Sequence, residues 1–252
     1  MSSQRALSSN FGKLLQTFGR FVQLWLSTHW RSLLLLFLGV FLPLQLAILL
    51  AGQIQLQEGG LPWDVSILLA IHSTAQANLD SLALTLTQFG TRWGVFPVST
   101  ALVMAMFFLK RWRSLIYLLI TLPGAMLINR TAKELLHRVR PHLWDSTFPP
   151  EPEFAFPSGH AMASMAFVAS LVVLTWGSRW CGWVTTLGSL FVVAIAWTRL
   201  YLGVHYPSDI VAGWMVSIAW AIAVSLVVKP HLAKLNPETL SPETNEVSAT
   251  QE

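Results

Sequence analysis

From Ser32 to Gln57 the chain carries no charged side chain. That stretch is longer than the roughly 20 residues an α-helix needs to cross the hydrocarbon of a bilayer. In such a solvent every backbone N–H and C=O must be paired within the protein, so the segment can be a membrane-spanning helix and little else. Five further apolar runs follow, at Trp93–Leu109, from Ser114 to about Ala132, and at Ala161–Ser178, Trp180–Thr198 and Ile210–Val228. The reading is an all-α integral membrane helical bundle of about six transmembrane helices. Composition agrees: 54% of residues are hydrophobic, 11% are charged and the mean hydropathy is +0.55, against roughly 25% charged residues in a soluble domain.

The segments between the spans divide the chain. Residues 1–31 are mixed and basic, with Arg5, Lys13, Arg20 and Arg31, and read as a cytoplasmic N-terminal segment. The first apolar run begins too late and is too long for a signal peptide, so it reads as a retained span. Residues 32–228 form the spanning domain. Within residues 58–92, the stretches Ile67–Ile71 and Leu82–Phe89 read as short interfacial helices. Residues 133–159 are a polar, proline-rich connection, and residues 229–252 a disordered cytoplasmic tail. Trp93, Trp112, Trp176, Trp180 and Trp197 lie near the ends of apolar runs, where an aromatic belt sits. Cys181 is the only cysteine and reads as a small packed side chain.

The net charge is +4. Its basic residues fall in short clusters between apolar runs, which is not the footprint of a nucleic-acid binder. By the positive-inside rule, the N-terminal segment, the Lys110–Arg113 loop, the Arg179 turn and the Lys229–Lys234 segment share the cytoplasmic side. The opposite side then receives residues 58–92, the 133–159 connection and the turn around Arg199–Pro207. That face also carries Lys133, Arg138, Arg140 and Arg199, which membrane topology alone does not account for.

Three blocks gather there, at residues 133–141, 156–160 and 198–209. The first holds Lys133, Arg140 and Pro141; the second is Phe156-Pro157-Ser158-Gly159-His160; the third is Thr198-Arg199, then His205 and Asp209. Lys133, Arg140 and Arg199 brought to one place would repel one another, so they imply a ligand of more than one negative charge. Ser158 and Gly159 open a helix, whose free N–H groups and positive dipole end suit an anion. His205 and Asp209 lie one helical turn apart. A carboxylate on one ring nitrogen leaves the other free as a nucleophile. His160, from a separate block, can act as general acid and base. Taken singly, a cation at a helix end is a snorkelling anchor, Pro-Ser-Gly is a turn with a cap, and a His beside an Asp is a structural hydrogen bond. Together they specify about ten positions on one predicted face, where chance assembly at roughly one in twenty per position is negligible. By contrast, His72 reads as structural and Glu134 with Arg138 as a local ion pair four apart on a helix.

These blocks resemble the type-2 phosphatidic acid phosphatase superfamily: Lys, six residues, Arg-Pro; then Pro-Ser-Gly-His; then Ser-Arg, five residues, His, three residues, Asp. Lys133, Arg140-Pro141, Pro157–His160, Arg199, His205 and Asp209 match with the spacing intact, and Thr198 stands where Ser is usual. The resemblance implies phosphate binding by Lys133, Arg140, Ser158, Gly159 and Arg199, acid–base chemistry at His160, and a nucleophile pair of His205 and Asp209. It implies no cofactor and no metal. The expected activity is hydrolysis of a lipid phosphate monoester such as phosphatidic acid through a phosphohistidine, with a phosphorylated lipid and the bilayer as partners. An undecaprenyl (isoprenoid) diphosphate is the alternative substrate, and a non-catalytic membrane protein or lipid transporter of the same fold the competing class. The expected location is the bacterial plasma membrane, with the site on the outer face. The motifs contain one carboxylate, Asp209, whereas magnesium is held through carboxylate and other oxygen ligands. Activity is therefore expected to survive EDTA and to be inhibited by phosphate, vanadate or tungstate. A purified enzyme that stays inactive in EDTA and revives only with magnesium would contradict this.

Overall fold

A computed structural model describes residues 2–57, 60–144 and 151–230, with side chains from Thr17 onward. The Pro149-Pro150 pair and all but the start of the expected tail lie outside the described residues. Helix α1 (Ser2–Leu36) runs through a π-helical turn (Phe37–Phe41) into α2 (Leu42–Gln55). The π-turn has a local cause. Pro43 has no N–H to donate to Gly39, and its ring would strike that carbonyl. The backbone widens by one residue, with Leu42 N–H bonded to Phe37 O. Helix therefore continues unbroken from residue 2 across the boundary expected at Ser32.

Two short helices follow, α3 (Pro62–His72) and α4 (Ala77–Phe89), covering the stretches expected to be interfacial. Then come α5 (Val95–Phe108), α6 (Trp112–Leu136), α7 (Gly159–Thr175), α8 (Cys181–Tyr201) and α9 (Pro207–Val228), and no strand occurs among the described residues. Among the described residues four helices are long and apolar enough to cross a membrane: Thr17–Gln55, Trp112–Leu136, Cys181–Tyr201 and Pro207–Val228. The two others expected to span, α5 and α7, are apolar but shorter. At about 1.5 Å per residue α5 covers roughly 21 Å, against a hydrocarbon core of roughly 30 Å. Leu49, Phe96, Leu119, Leu187 and Leu190 are among many large apolar side chains left exposed. Such a surface is stable only where lipid is the solvent, and the chain is an integral membrane protein.

Helix α7 is the centre of the bundle, packed against α6, α8 and α9; α2 packs on α9, and α4 on α8. Small residues allow this closeness. Ala161 packs with Ala196 and Ile210, and Ala166 with Ala125 and Met162. A Cβ on Gly213 would meet Met162 Cγ at 3.2 Å and Ser158 O at 3.3 Å. Trp220 of α9 donates to Thr121 O of α6 at 3.1 Å. On the side where α6 ends and α7 and α9 begin, α4 is tied to the end of α8 by Tyr201 Oη donating to Asp80 at 2.7 Å and accepting from Gln76 N at 3.1 Å. The four chain ends that carry the motifs, α6 C-terminal, α7 N-terminal, α8 C-terminal and α9 N-terminal, therefore meet at one end of the bundle. With Cys181 replaced by Ser, a cysteine at Arg111 and one at His142 are expected to label from opposite membrane faces with an impermeant maleimide. Labelling from the same face would overturn the arrangement.

Candidate active site

The second block begins at a cis Phe156–Pro157 peptide and an extended Ser158 that caps α7. Asn129 of α6 donates to Pro157 O at 2.9 Å, and Ser158 N donates to Asp209 O at 3.2 Å. The start of α7 is thus clamped between α6 and α9. Ser158 Oγ is fully buried and has no hydrogen-bond partner, and Arg199 Nε is in the same condition. Ser99 Oγ, Thr121 Oγ1, Arg138 Nε and Trp214 Nε1 are buried in the same way, so it is the position of Ser158 and Arg199 at this end of the bundle that sets them apart.

The third block supplies the pair at the α8–α9 turn. Gly203 there has φ +66°, and Trp144 lies where its Cβ would be, at 2.4 Å, so glycine is required twice over. His205 Nδ1 lies 3.3 Å from Asp209 Oδ2, and Arg140 Nη1 lies 3.2 Å from His205 Nε2. Arginine can only donate. Nε2 must therefore accept, Nδ1 carries the proton, and Asp209 accepts it. The network assigns the tautomer with its lone pair facing the cations. Burial pushes the His205 pKa well below 6.5, and Arg140, Arg199 and Lys133 push it further down. The ring is consequently neutral at pH 7, as a nucleophile must be.

Lys133, at the end of α6, bonds Glu153. Arg140 donates to Val204 O at 2.7 Å and to Glu153 O at 2.8 Å, and its Nη2 pairs with Glu151 at 2.8 Å. Arg199 donates to Thr87 Oγ1 at 3.0 Å and pairs with Glu151. His160 Nε2 lies 3.3 Å from Thr91 Oγ1. A cavity of about 1000 Å³ is lined by Lys133, Glu151, Gly159, His160 and His205, with Asn129 and Arg130 on its wall. It adjoins an apolar cavity of about 580 Å³ between α5, α6 and α7, and Thr91, Met126 and Ala163 line both. Among the described residues no three His, Cys, Asp or Glu side chains converge as metal ligands.

All the residues singled out in the three blocks meet at this end of the bundle, and His205 and Asp209 pair as their spacing suggested, but one expected ion pair is absent. Arg138 does not pair with Glu134. Helix α6 ends at His137, in the left-handed region at φ 45°, so Arg138 is no longer on the helical face of Glu134. It turns inward over Tyr206, 4.3 Å from the ring centroid, and bonds Asp209, Ser208 Oγ at 2.7 Å and Asp64 at 3.0 Å. Asp64, fully buried, also accepts from Ser208 N at 2.8 Å and Oγ at 2.6 Å. His72 stacks on Trp144 at 4.0 Å, in line with a structural role. Cys181, expected to be buried, is half-buried at the start of α8. Sequence reasoning missed Asp64, Glu151 and Glu153, and also Thr87 and Thr91, and gave Arg138 a different partner. The available signals were an acid in the first turn of a Pro-initiated helix and the alternating Pro-Glu-Pro-Glu at residues 150–153.

A bundle of apolar helices thus closes at one end over His160, His205, the buried Asp209 and the cations Lys133, Arg140 and Arg199. Residues 113–233 match the PAP2 superfamily, and the chain carries a PAP2 superfamily domain there. It is 28% identical to an undecaprenyl-diphosphatase of Sulfolobus acidocaldarius over 206 residues, 80% of this chain and 91% of that protein. It is 29% identical to phosphatidylglycerophosphatase B of Bacillus subtilis over 139 residues, 53% of this chain and 67% of that protein. The crystal structure of a transmembrane PAP2-type phosphatidylglycerolphosphate phosphatase from Bacillus subtilis superposes with a TM-score of 0.62, at 24% identity, over 77% of this chain and 98% of that one. Asp64, Thr87 and Thr91 lie outside the matched segment.

Arg138→Leu is expected to leave Asp64 and Asp209 as two buried, uncompensated carboxylates and to cost about 3–5 kcal/mol. Thermal unfolding of the purified protein in detergent measures this. A variant as stable as the wild type would remove Arg138 from its proposed role.

Proposed function

We propose that the chain hydrolyses a lipid phosphate monoester, such as phosphatidic acid, through a phosphohistidine on His205, at the outer face of a bacterial plasma membrane. The observation that carries this reading is His205 itself: buried, proton-bonded to Asp209 through Nδ1, with Nε2 facing Arg140. A non-catalytic transporter has no evident use for a histidine held in that state.

The phosphoryl group would sit among Lys133, Arg140 and Arg199, with the N–H end of α7 and the unpartnered Ser158 hydroxyl completing the cradle. Preorganised donors of this kind stabilise the charge that builds on the equatorial oxygens during transfer. His205 Nε2 forms a bond to phosphorus while the bond from phosphorus to the lipid oxygen breaks. The Nδ1 proton stays on the ring, shared with Asp209, which stabilises the positive charge gained. His160 gives its proton to the departing oxygen, and the lipid alcohol leaves. Water then attacks phosphorus, His160 takes a proton from it, and the nitrogen–phosphorus bond breaks to release phosphate and restore both histidines. The adjoining apolar cavity suits a hydrocarbon chain.

A second reading, hydrolysis of an isoprenoid diphosphate such as undecaprenyl diphosphate, draws support from the 28% identical relative and from Arg130, a further cation on the wall of the polar cavity. Purified protein assayed against phosphatidate, lysophosphatidate, phosphatidylglycerophosphate and undecaprenyl diphosphate separates the two.

The two histidines are expected to fail at different steps. His205→Ala should form no covalent intermediate. His160→Ala should lose about 10²–10⁴-fold on lipid substrates, the usual worth of general acid help. It should be partly spared on a nitrophenyl ester, whose leaving group needs no proton, and should accumulate phosphoenzyme because water activation is also impaired. Rapid quench with labelled substrate reads both. Label trapped in His205→Ala and absent from His160→Ala would exchange the two roles.

A further inference from the structure

The cations of the proposed anion site are each engaged by a carboxylate of the adjoining loop. Glu151 extends into the polar cavity and bridges two guanidinium groups, one oxygen on Arg199 and the other on Arg140 Nη2 at 2.8 Å. Two oxygens of one anion held by two arginine forks is the geometry with which arginines take phosphate. Its neighbour Glu153 differs. Glu153 pairs with Lys133 from the rim, with its side chain 71% exposed, whereas that of Glu151 is 34% exposed. The loop behind Glu151 is anchored, because Arg140 holds Glu153 O and Ala155 N donates to Arg138 O at 2.8 Å. Burial pushes the Glu151 carboxyl up, but Arg199 and Arg140 more than offset this and hold it below the usual range, so it is ionised at neutral pH.

We propose that Glu151 is an exchangeable internal ligand of the anion site, which holds the place of two phosphate oxygens in the empty enzyme, yields to the incoming phosphoryl group and returns as inorganic phosphate leaves. The proposal rests on the reading of Lys133, Arg140 and Arg199 as the phosphate cradle. Its physical basis is charge. Cations clustered in a partly buried site repel one another, and a carboxylate offsets that repulsion until a ligand arrives. A phosphate monoester near its second ionisation carries close to two charges against one for the carboxylate, so it can take the site. On the return, the tethered carboxylate replaces the product and no bare cation cluster is left behind.

An internal competitor has a signature that a catalytic group lacks. Every ligand of Arg140 and Arg199 must displace the same carboxylate, so every apparent dissociation constant is raised by one common factor while the chemical step is untouched. Removing the charge should recover on the order of 10- to 100-fold in affinity, the scale of one charge-assisted hydrogen bond. Titration calorimetry on the full-length protein in detergent, with inorganic phosphate and with vanadate, measures this for the wild type, Glu151→Gln and Glu151→Asp. In Glu151→Gln both dissociation constants are expected to fall by the same factor, about tenfold or more. Single-turnover phosphorylation of His205 at saturating substrate should stay within about threefold, less than 1.4 kcal/mol in the barrier. Glu151→Asp keeps the charge but is one methylene too short to bridge both arginines, and should lie between. Unchanged or weaker anion binding in Glu151→Gln overturns the proposal, as does a single-turnover rate about 10²-fold lower. Arg140→Met and Arg199→Met mark the other failure. If they bind phosphate as the wild type does, the reading of the cradle falls and the proposal with it. If they lose phosphate while Glu151→Gln changes nothing, the proposal falls alone.

Discussion

Arg138 joins three segments that are distant in sequence. Its guanidinium bonds Asp64 at the start of α3 and both Ser208 and Asp209 at the start of α9, while its own backbone carbonyl accepts from Ala155 in the loop leading to α7. Two buried carboxylates and one buried cation are a costly set to remove from water, and such a set persists only with nearly complete hydrogen bonding. Asp64 meets that condition with three donors besides Arg138: Leu61 N, Ser208 N and Ser208 Oγ. Asp209 meets it with Tyr206 N, Arg138 and His205. The orientation of Asp209 fixes the His205 ring, and that ring presents one lone pair to the cradle. The orientation of the His205 ring thus depends on Arg138, which reaches it only through Asp209.

The bilayer sets the second constraint. Helices α2, α5, α6 and α8 turn apolar side chains outward, so the hydrophobic effect does not drive one against another as it would in water. What holds them is close backbone approach at Ala161, Ala196 and Gly213, together with bonds such as that of Trp220 to Thr121. Helix α7 packs closely on its neighbours because its first turns carry Gly159, Ala161 and Ala163. Close packing there is also what brings Ser158 N to Asp209 O. Packing of the central helix and geometry of the site share the same few small residues.

Charge on this end of the bundle is arranged in two layers. Deep in the protein, Arg138 is balanced by Asp64 and Asp209. Nearer the cavity, Lys133, Arg140 and Arg199 are met by Glu153 and Glu151. The carboxylates of the outer layer are the more exposed ones, 34% for Glu151 and 71% for Glu153, whereas Asp64 and Asp209 are fully buried. The basic residues that broke the positive-inside pattern are thus all paired with carboxylates, Lys133, Arg140 and Arg199 with those of the adjoining loop and Arg138 with Asp64 and Asp209.

The residues of one linear sequence were enough to establish the helical membrane character, the short helices after the first span, and the meeting of Lys133, Arg140, His160, Arg199, His205 and Asp209. Hydrophobic runs and motif spacing are local properties, and a bilayer leaves the backbone so few choices that local properties decide the class of fold. Partnership is not local. That Arg138 abandons Glu134 for Asp64 and Asp209 depends on a left-handed turn at His137 and on where α3 comes to rest, 74 residues away from Arg138 in sequence. That Glu151 lies across Arg140 and Arg199 depends on how the loop folds back over the ends of α6 and α8. Helix α1 likewise ran through a boundary drawn from charge, because helix continuity depends on backbone bonds that a few charged side chains do not break. Composition and spacing determined what kind of site this chain carries. The tertiary structure decided which charges neutralise which, since ion pairing depends on distance in space and not along the chain.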